Sequence, residues 1–148
     1  MRPPWLWLPP SLAHASAPLG LKLWAGCFGR GPQEWRPLQW RGLNFPNRLG
    51  LAAGVDKNAS QIQDWWRAGV GFLEVGTIVP QPQEPNPGKI VDRDIKSRSV
   101  WNKMGFPSQG ADKALARLEK IPSARSAPVF LNLGKNRQTP NESAHKDY

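Results

Sequence analysis

The sequence predicts an α/β fold in which strands and helices alternate and the strands form a parallel sheet. From Leu49 onward, apolar runs and turn residues give strand, helix, strand, long polar connection, helix and strand, in that order. This alternation is typical of β/α units, in which a helix connects neighbouring parallel strands. Parallel sheets are normally covered on both faces and have protected edges, so we expect the chain to be part of a larger α/β domain.

Composition limits the class of protein less than the order of elements does. The 148 residues suffice for one ordinary domain, and 20 Lys and Arg against 11 Asp and Glu give a net charge of +9. Such a surplus suits nucleic acid, anionic lipid or anionic ligands. The single cysteine, Cys27, has no internal partner, which favours a reducing compartment, and we assign no metal site.

The first 43 residues are predicted to be a helical extension followed by a linker. Between Ser11 and Phe28, apolar residues recur at three- and four-residue steps, which indicates one or two short amphipathic helices. Trp5, Trp7 and Trp24 lie beside basic residues, so the segment suits a membrane interface, and a helix packed on the domain is an equal alternative. A signal peptide is less favoured because prolines interrupt the apolar stretch.

The linker is predicted at residues 31–44, where proline, glycine and polar residues show no helical period. We therefore divide the chain into the extension with its linker, residues 1–43, and the first β/α units, residues 44–148. The second part carries every stretch that suggests chemistry.

The first β/α unit contains the stretch AAGVDKN, where a buried strand ends in charged residues. We place the strand at about residues 48–53 and begin the helix near Asn58, which is a good N-cap. Lys57 then follows the carboxyl end of a strand, where ligands bind in β/α barrels and open α/β sheets. The small residues before it allow a flat ring to approach the backbone, and Lys57 suits an anion or a ring carbonyl. The alternative is a surface lysine paired with Asp56.

Two further strands are predicted to end in polar residues. The strand at residues 70–77 ends in Thr77, and the strand in APVFLNLGKN carries Asn132 near its carboxyl end. The connection at residues 80–106 is longer than most loops of compact domains, which favours a functional role. Its last part, WNKMGF, suits a small planar polar ligand, or else anchors the loop in a core.

Two predictions concern the elements around these strand ends. A helix of about residues 109–120 is predicted to begin at a Ser108 cap and to turn Leu115 and Leu118 inward. Glu74, within the second strand, is a candidate acid only if it faces the interior of a barrel, and a salt bridge is favoured.

Four stretches occur in a fixed order: FPNRLGLAAGVDKN, GFLEVGTIVPQPQEPNPGK, NKMGF and LNLGKNRQTP followed by DY. Together they resemble class 2, quinone-dependent dihydroorotate dehydrogenase, over roughly residues 44–148. The resemblance implies a (β/α)8 TIM barrel that carries FMN and oxidises dihydroorotate to orotate in UMP biosynthesis. The flavin then passes its electrons to a membrane quinone.

The resemblance also implies roles for individual residues. FMN contacts are expected from Ala53, Gly54, Val55, Asp56, Lys57, Thr77 and Asn132. Substrate contacts are expected from Lys57, Asn102, Lys103, Met104, Gly105 and Phe106. The Lys57 charge would offset negative charge on the reduced flavin and bind the substrate carboxylate.

Further expectations follow from the resemblance. The extension would contact the membrane and form a quinone tunnel that includes His14. The catalytic base would be a serine in an NxSSPN motif beyond Tyr148, so we expect the chain to be a truncated, inactive portion. The complete enzyme would be a monomer, bound peripherally to the cytoplasmic side of a bacterial inner membrane, with no nucleic acid partner. The alternatives are a class 1 flavin barrel with a soluble acceptor, and a basic, tryptophan-rich module that binds nucleic acid or lipid.

Overall fold

The structure is a computed structural model that describes residues 7–121 and 127–148, so the predicted interfacial Trp5 lies outside the described residues. The helices are α1 (Pro10–Phe28), α2 (Ile62–Arg67) and α3 (Ala111–Leu118), with a 3₁₀ helix at Asn141–Lys146. The strands are β1 (Leu38–Trp40), β2 (Leu43–Phe45), β3 (Gly50–Leu51), β4 (Phe72–Ile78), β5 (Val91–Asp94), β6 (Ser99–Asn102) and β7 (Val129–Leu133).

The centre of the fold is a three-stranded parallel sheet with the strand order β3, β4, β7. Gly50 of β3 lies opposite Phe72, and Leu73 of β4 lies opposite Val129. Helix α2 connects β3 to β4, and α3 lies between β4 and β7 in the chain. The predicted α/β class and the parallel sheet are therefore confirmed. All three strands point the same way, so their carboxyl ends meet at one edge of the sheet.

The hydrophobic core lies between the sheet and its helices. Leu73 and Val75 of β4 are fully buried, and they pack with Ile62 and Trp66 of α2 and Ala114 of α3. Burying one such Leu or Val side chain stabilises the fold by roughly 1.5–3 kcal/mol. Because side chains alternate along a strand, Phe72 and Glu74 face the other side of the sheet.

An aromatic cluster occupies that other side near the amino-terminal ends of the strands. The ring centroids of Phe45 and Phe72 are 5.5 Å apart, and Phe130 lies 6.3 Å from each. The Phe72 ring meets both partners edge-on, a geometry that the ring quadrupoles favour. We call this side, which lies opposite the helices, the inner face of the sheet. The cluster covers its amino-terminal end and leaves the carboxyl ends of the strands for polar groups.

Helix α1 is a single helix of 19 residues, which begins with Pro10 in its first turn. It packs on the first β/α unit, where Gln61 Nε2 donates to the Pro18 carbonyl at 2.9 Å and Ala25 is buried. Four of its apolar side chains are more than half exposed: Leu12, Leu19, Leu23 and Phe28. Among the described residues, no helix has both the length and the hydropathy that a membrane span needs.

Two segments predicted to be irregular contain β-hairpins. Within the predicted linker, β1 and β2 pair antiparallel through Arg41 and Gly42, whose φ angles are +48° and +79°. Positive φ at both central residues is the turn that matches strand twist in two-residue hairpins. The hairpin crosses the predicted boundary at residue 44. The long connection likewise contains the antiparallel pair β5 and β6.

Helix α3 differs from its predicted start and orientation. It begins after Gly110, whose φ is +90°, and the Ser108 hydroxyl accepts the Gly110 N–H at 3.2 Å. Leu115 is 56% exposed, so the prediction that it faces inward was wrong. Leu118 packs on the core, so that part of the prediction is confirmed. Ala114 takes the inward position expected of Leu115, because residues four apart share one face of a helix.

Candidate functional site

The carboxyl ends of β3, β4 and β7 and the loop after β6 surround a cavity of about 820 Å³. This volume falls within the roughly 300–1,000 Å³ of small-molecule and cofactor sites. The lining residues are Ala53, Gly54, Lys57, Thr77, Asn86, Asn102, Lys103, Met104, Gly105, Phe106, Pro107, Asn132, Leu133, Gly134, Lys135 and Tyr148.

The charge of the cavity is positive. Lys57, Lys103 and Lys135 line it, and no Asp or Glu does so within the described residues. The remaining polar lining consists of amides and hydroxyls, which both donate and accept hydrogen bonds. These groups suit a planar anionic ligand with ring carbonyl and N–H groups.

A buried carboxylate shapes the loop that carries Lys57. Asp56 is 2% exposed, and its oxygens accept the backbone N–H groups of Ser60 at 2.9 Å and Gln61 at 2.8 Å. Asp56 therefore holds the loop that leads into α2, while the prediction that Asn58 caps this helix was wrong: α2 begins at Ile62 after Gln61, and no side chain caps it. The Asn58 side chain instead accepts the backbone N–H of Gln109 at 2.8 Å.

Lys57 lies half-buried at the cavity wall and is electrostatically coupled to α1. Burial lowers the pKa of the Lys57 ammonium, and the neighbouring Asp56 carboxylate opposes this shift. The pKa of His14, whose side chain is only partly shielded, is lowered by that shielding and by the positive charge of Lys57. The predicted quinone-tunnel residue is thus within electrostatic reach of the cavity, although it does not line it.

The ends of β4 and β7 are joined by a chain of side-chain hydrogen bonds. The Thr77 hydroxyl donates to Asn132 Oδ1 at 2.6 Å, and Asn132 Nδ2 donates to Glu74 Oε1 at 3.0 Å. Glu74 thus lies on the inner face of the sheet. Within the described residues its carboxylate accepts from an amide and makes no ion pair, so the favoured salt bridge is not found there. Gly76 permits the close approach of the strands, because a Cβ there would lie 2.3 Å from the Asn132 carbonyl oxygen.

The loop at residues 102–106 is held through its backbone carbonyls. Asn86 Nδ2 donates to the Lys103 carbonyl at 2.8 Å, and Gln83 Nε2 donates to the Gly105 carbonyl at 2.9 Å. The Gln83 side chain also accepts the backbone N–H of Arg137 at 2.7 Å. Gln83 therefore ties the loop to the segment that follows β7.

The structure brings most of the predicted site residues to one place. Ala53, Gly54, Lys57, Thr77, Asn132 and all five residues from Asn102 to Phe106 line the cavity. Val55 is 52% exposed and Asp56 turns into its own loop, so neither side chain does. Sequence reasoning missed the lining residues Asn86, Pro107, Leu133, Gly134, Lys135 and Tyr148. Only Lys135 had a signal, since it follows the third strand as Lys57 follows the first.

The cavity wall fits the flat cofactor that the sequence suggested. Gly54 has a φ of +95°, and a Cβ built there would meet no atom within 4 Å. The backbone of this turn therefore borders open space, which a ring can approach closely. Thr77 and Asn132 supply polar groups at the neighbouring strand ends, and Lys57 supplies a cation.

Comparisons with known proteins agree on one family. The family model described as dihydroorotate dehydrogenase matches residues 38–148. The dihydroorotate dehydrogenase (quinone) of Thermus thermophilus is 40% identical, over 95% of this chain and 44% of its own length. That of Xylella fastidiosa is 47% identical, over 72% of this chain and 30% of its own. The chain thus spans less than half the length of these curated relatives.

Solved structures show the same relationship. The DHODH of Eimeria tenella in complex with ferulenol matches with a TM-score of 0.75 and 36% identity, over 93% of this chain and 38% of its own. Its ligand-free form matches with a TM-score of 0.76 and 35% identity, over 93% of this chain and 40% of its own. The family match, the sequence identity and the shared fold lead to one conclusion: the chain belongs to the dihydroorotate dehydrogenase family.

Proposed function

We propose that the chain forms the flavin- and substrate-facing part of an enzyme that oxidises dihydroorotate to orotate and passes the electrons to quinone. The observation that carries this proposal is the cationic cavity at three adjacent strand ends, which contains no carboxylate among its described lining residues. The names of the relatives favour quinone over the soluble acceptor of a class 1 enzyme. They give no support to a nucleic-acid or lipid-binding module.

FMN is the proposed cofactor, and it would supply the hydride and electron chemistry when bound. Ala53 and Gly54 would border the ring, with Val55 and Asp56 completing their turn. Thr77 and Asn132 would hydrogen-bond its polar edge. Lys57 would hold a positive charge beside it, which stabilises negative charge on the ring.

Dihydroorotate is the proposed substrate, and the loop from Asn102 to Phe106 is the segment proposed to bind it. An Asn side chain offers both a donor and an acceptor, which matches the imide edge of a pyrimidine ring. Lys57 would bind the carboxylate, with Lys103 as a second cation at the same wall. The described lining contains no serine or cysteine, so we assign no proton-accepting base to it.

The extension, residues 1–43, is the proposed quinone and membrane contact. The packing of α1 on the first β/α unit supports it, through the bond from Gln61 to the Pro18 carbonyl and the buried Ala25. Burial and the nearby Lys57 charge both lower the pKa of His14, which agrees with this placement. The exposed apolar side chains of α1 support it as well. We further propose that β3, β4 and β7 belong to a (β/α)8 barrel, and that the complete enzyme is a monomer bound peripherally to the cytoplasmic face of a bacterial inner membrane.

Binding of FMN and orotate to the 148-residue chain tests this function. FMN is titrated into the purified chain while flavin fluorescence is followed, and orotate is then added to the complex. We expect saturable FMN binding and a change in the flavin absorption spectrum when orotate binds.

A matched pair of variants tests whether FMN binds in the cavity. Asn132→Ala removes a cavity amide, whereas Asn141→Ala makes the same change at an exposed position outside the cavity. We expect the first to weaken FMN binding by roughly 2–10-fold and the second to leave it unchanged. Absence of saturable FMN binding by the folded parent chain would overturn the proposal.

A further inference from the structure

We infer that Glu74 is a positioning residue that fixes the orientation of the Asn132 amide, and thereby the hydrogen-bonding groups that Asn132 and Thr77 present to a ligand. The inference deepens the proposed function and rests on it, since FMN is the ligand considered. Glu74 does not line the cavity itself, so its effect passes through Asn132.

The three side chains form a continuous path on the inner face of the sheet. Glu74 and Thr77 belong to β4, and Asn132 belongs to the adjacent β7. The two bonds measure 2.6 Å from Thr77 Oγ1 to Asn132 Oδ1 and 3.0 Å from Asn132 Nδ2 to Glu74 Oε1. Glu74 is half-buried, and within the described residues it takes part in no ion pair.

The direction of both bonds follows from the chemistry of the carboxylate. An ionised carboxylate accepts hydrogen bonds and cannot donate them, so the Asn132 amide must turn its NH₂ group toward Glu74. Its Oδ1 then faces Thr77, whose hydroxyl must donate. Without Glu74, the only neighbour of the amide in this path is the Thr77 hydroxyl. A hydroxyl can donate to the amide oxygen or accept from the amide nitrogen, so it does not select one orientation.

The fixed orientation leaves a defined pair of groups for a ligand. Asn132 Nδ2 carries two hydrogens and gives one to Glu74, so one donor remains. The only hydrogen of the Thr77 hydroxyl is used, so Thr77 offers lone pairs alone. The pair therefore recognises a ring edge on which an acceptor lies beside a donor, as a carbonyl lies beside an N–H in a flavin or a pyrimidine. The opposite order would leave polar groups unpaired, which costs affinity.

Two substitutions of Glu74 in the full chain test the inference through FMN affinity. Glu74→Met keeps the length of the side chain but removes the acceptor. Glu74→Gln keeps a carbonyl oxygen that can still accept from Asn132, although its new NH₂ group can also donate to a reversed amide, so part of the orientation is retained. We expect the FMN dissociation constant to rise roughly tenfold in Glu74→Met and less than about threefold in Glu74→Gln. The exposed control Glu119→Met should bind as the parent does. Equal affinities of Glu74→Met and the parent would overturn the inference.

The side-chain amide signals of Asn132 give a second readout that needs no ligand. In the parent, the hydrogen bond to Glu74 should shift one of the two Nδ2 proton resonances downfield of its position in a free amide, and we expect this shift to be lost in Glu74→Met and largely kept in Glu74→Gln. Thr77→Val should keep it, because the Glu74 bond remains; its loss in Thr77→Val would show that Thr77 sets the orientation. This spectrum also separates the two proposals: a parent chain that binds no FMN overturns the proposed function, while its ligand-free spectrum still decides the role of Glu74.

Discussion

Replacing Asp56 with alanine tests whether a buried carboxylate holds the loop that carries Lys57. Asp56 is 2% exposed, and it accepts the backbone N–H groups of Ser60 and Gln61 at 2.9 and 2.8 Å. A hydrogen bond to a charged group contributes about 1.5–3 kcal/mol, and a buried donor left unpaired costs a similar amount. For these two bonds we expect the free energy of unfolding to fall by about 3–6 kcal/mol in Asp56→Ala.

The assay is urea unfolding followed by far-UV circular dichroism, with two comparison variants. Asp56→Asn retains one acceptor oxygen, so it should lose roughly half as much stability. Asp112→Ala removes an exposed carboxylate from the first turn of α3 and should cost only about 0.3–1 kcal/mol. Equal losses in Asp56→Ala and Asp112→Ala would refute the role assigned to the Asp56 hydrogen bonds.

Three further predictions concern the walls of the cavity. Gly76→Ala should lower the free energy of unfolding by more than about 2 kcal/mol, because Gly76 has a φ of +125° and its new Cβ would lie 2.3 Å from a β7 carbonyl; a smaller loss in urea unfolding contradicts this. Lys57→Met should raise the pKa of the His14 imidazole toward 6.5 in an NMR titration. Because folding lowers that pKa, the parent loses stability as the pH falls below 6.5, and Lys57→Met should lose less; an unchanged pKa contradicts the coupling. Gln83→Ala should make the loop at residues 102–106 more sensitive to limited proteolysis, whereas Gln81→Ala should not; equal sensitivity would contradict the anchoring role.

The sequence predicted the central sheet well because the signals for it are local. Apolar runs that end in glycine or polar residues marked the positions of β3, β4 and β7, and helical periodicity marked the elements between them. Lys57, Thr77 and Asn132 were identified because each follows or ends such a run. Parallel strands then bring their carboxyl ends together without any further information.

The errors concern features that depend on contacts between distant segments. The hairpin strands β1, β2, β5 and β6 have three or four residues each, too few to show an alternating pattern. Leu115 fits an inward-facing helical pattern, but only α3 packed on the sheet shows that Ala114 occupies the contact. Asp56 looks like a partner for Lys57 in the sequence, whereas its buried oxygens bind backbone N–H groups further along the loop.

Only part of the cavity lining was predicted, because the rest of it also depends on contacts between distant segments. Its strand ends follow from the sheet, but Asn86 and Tyr148 reach it from segments on either side of β7. Gln83 has no distinguishing feature in the sequence, and its importance lies in bonds to residues more than 20 positions away. Such contacts arise from tertiary folding, and no local pattern encodes them.

The location of the flavin site is tested most directly by NMR mapping of the ¹⁵N-labelled chain during titration with FMN. We expect the largest shifts at the backbone amides of Gly54, Lys57 and Thr77 and at the side-chain amide of Asn132. The tip of the hairpin formed by β5 and β6, at residues 95–98, should remain unchanged. Saturable shifts at the hairpin tip, with none at the three strand ends, would contradict the proposed flavin site.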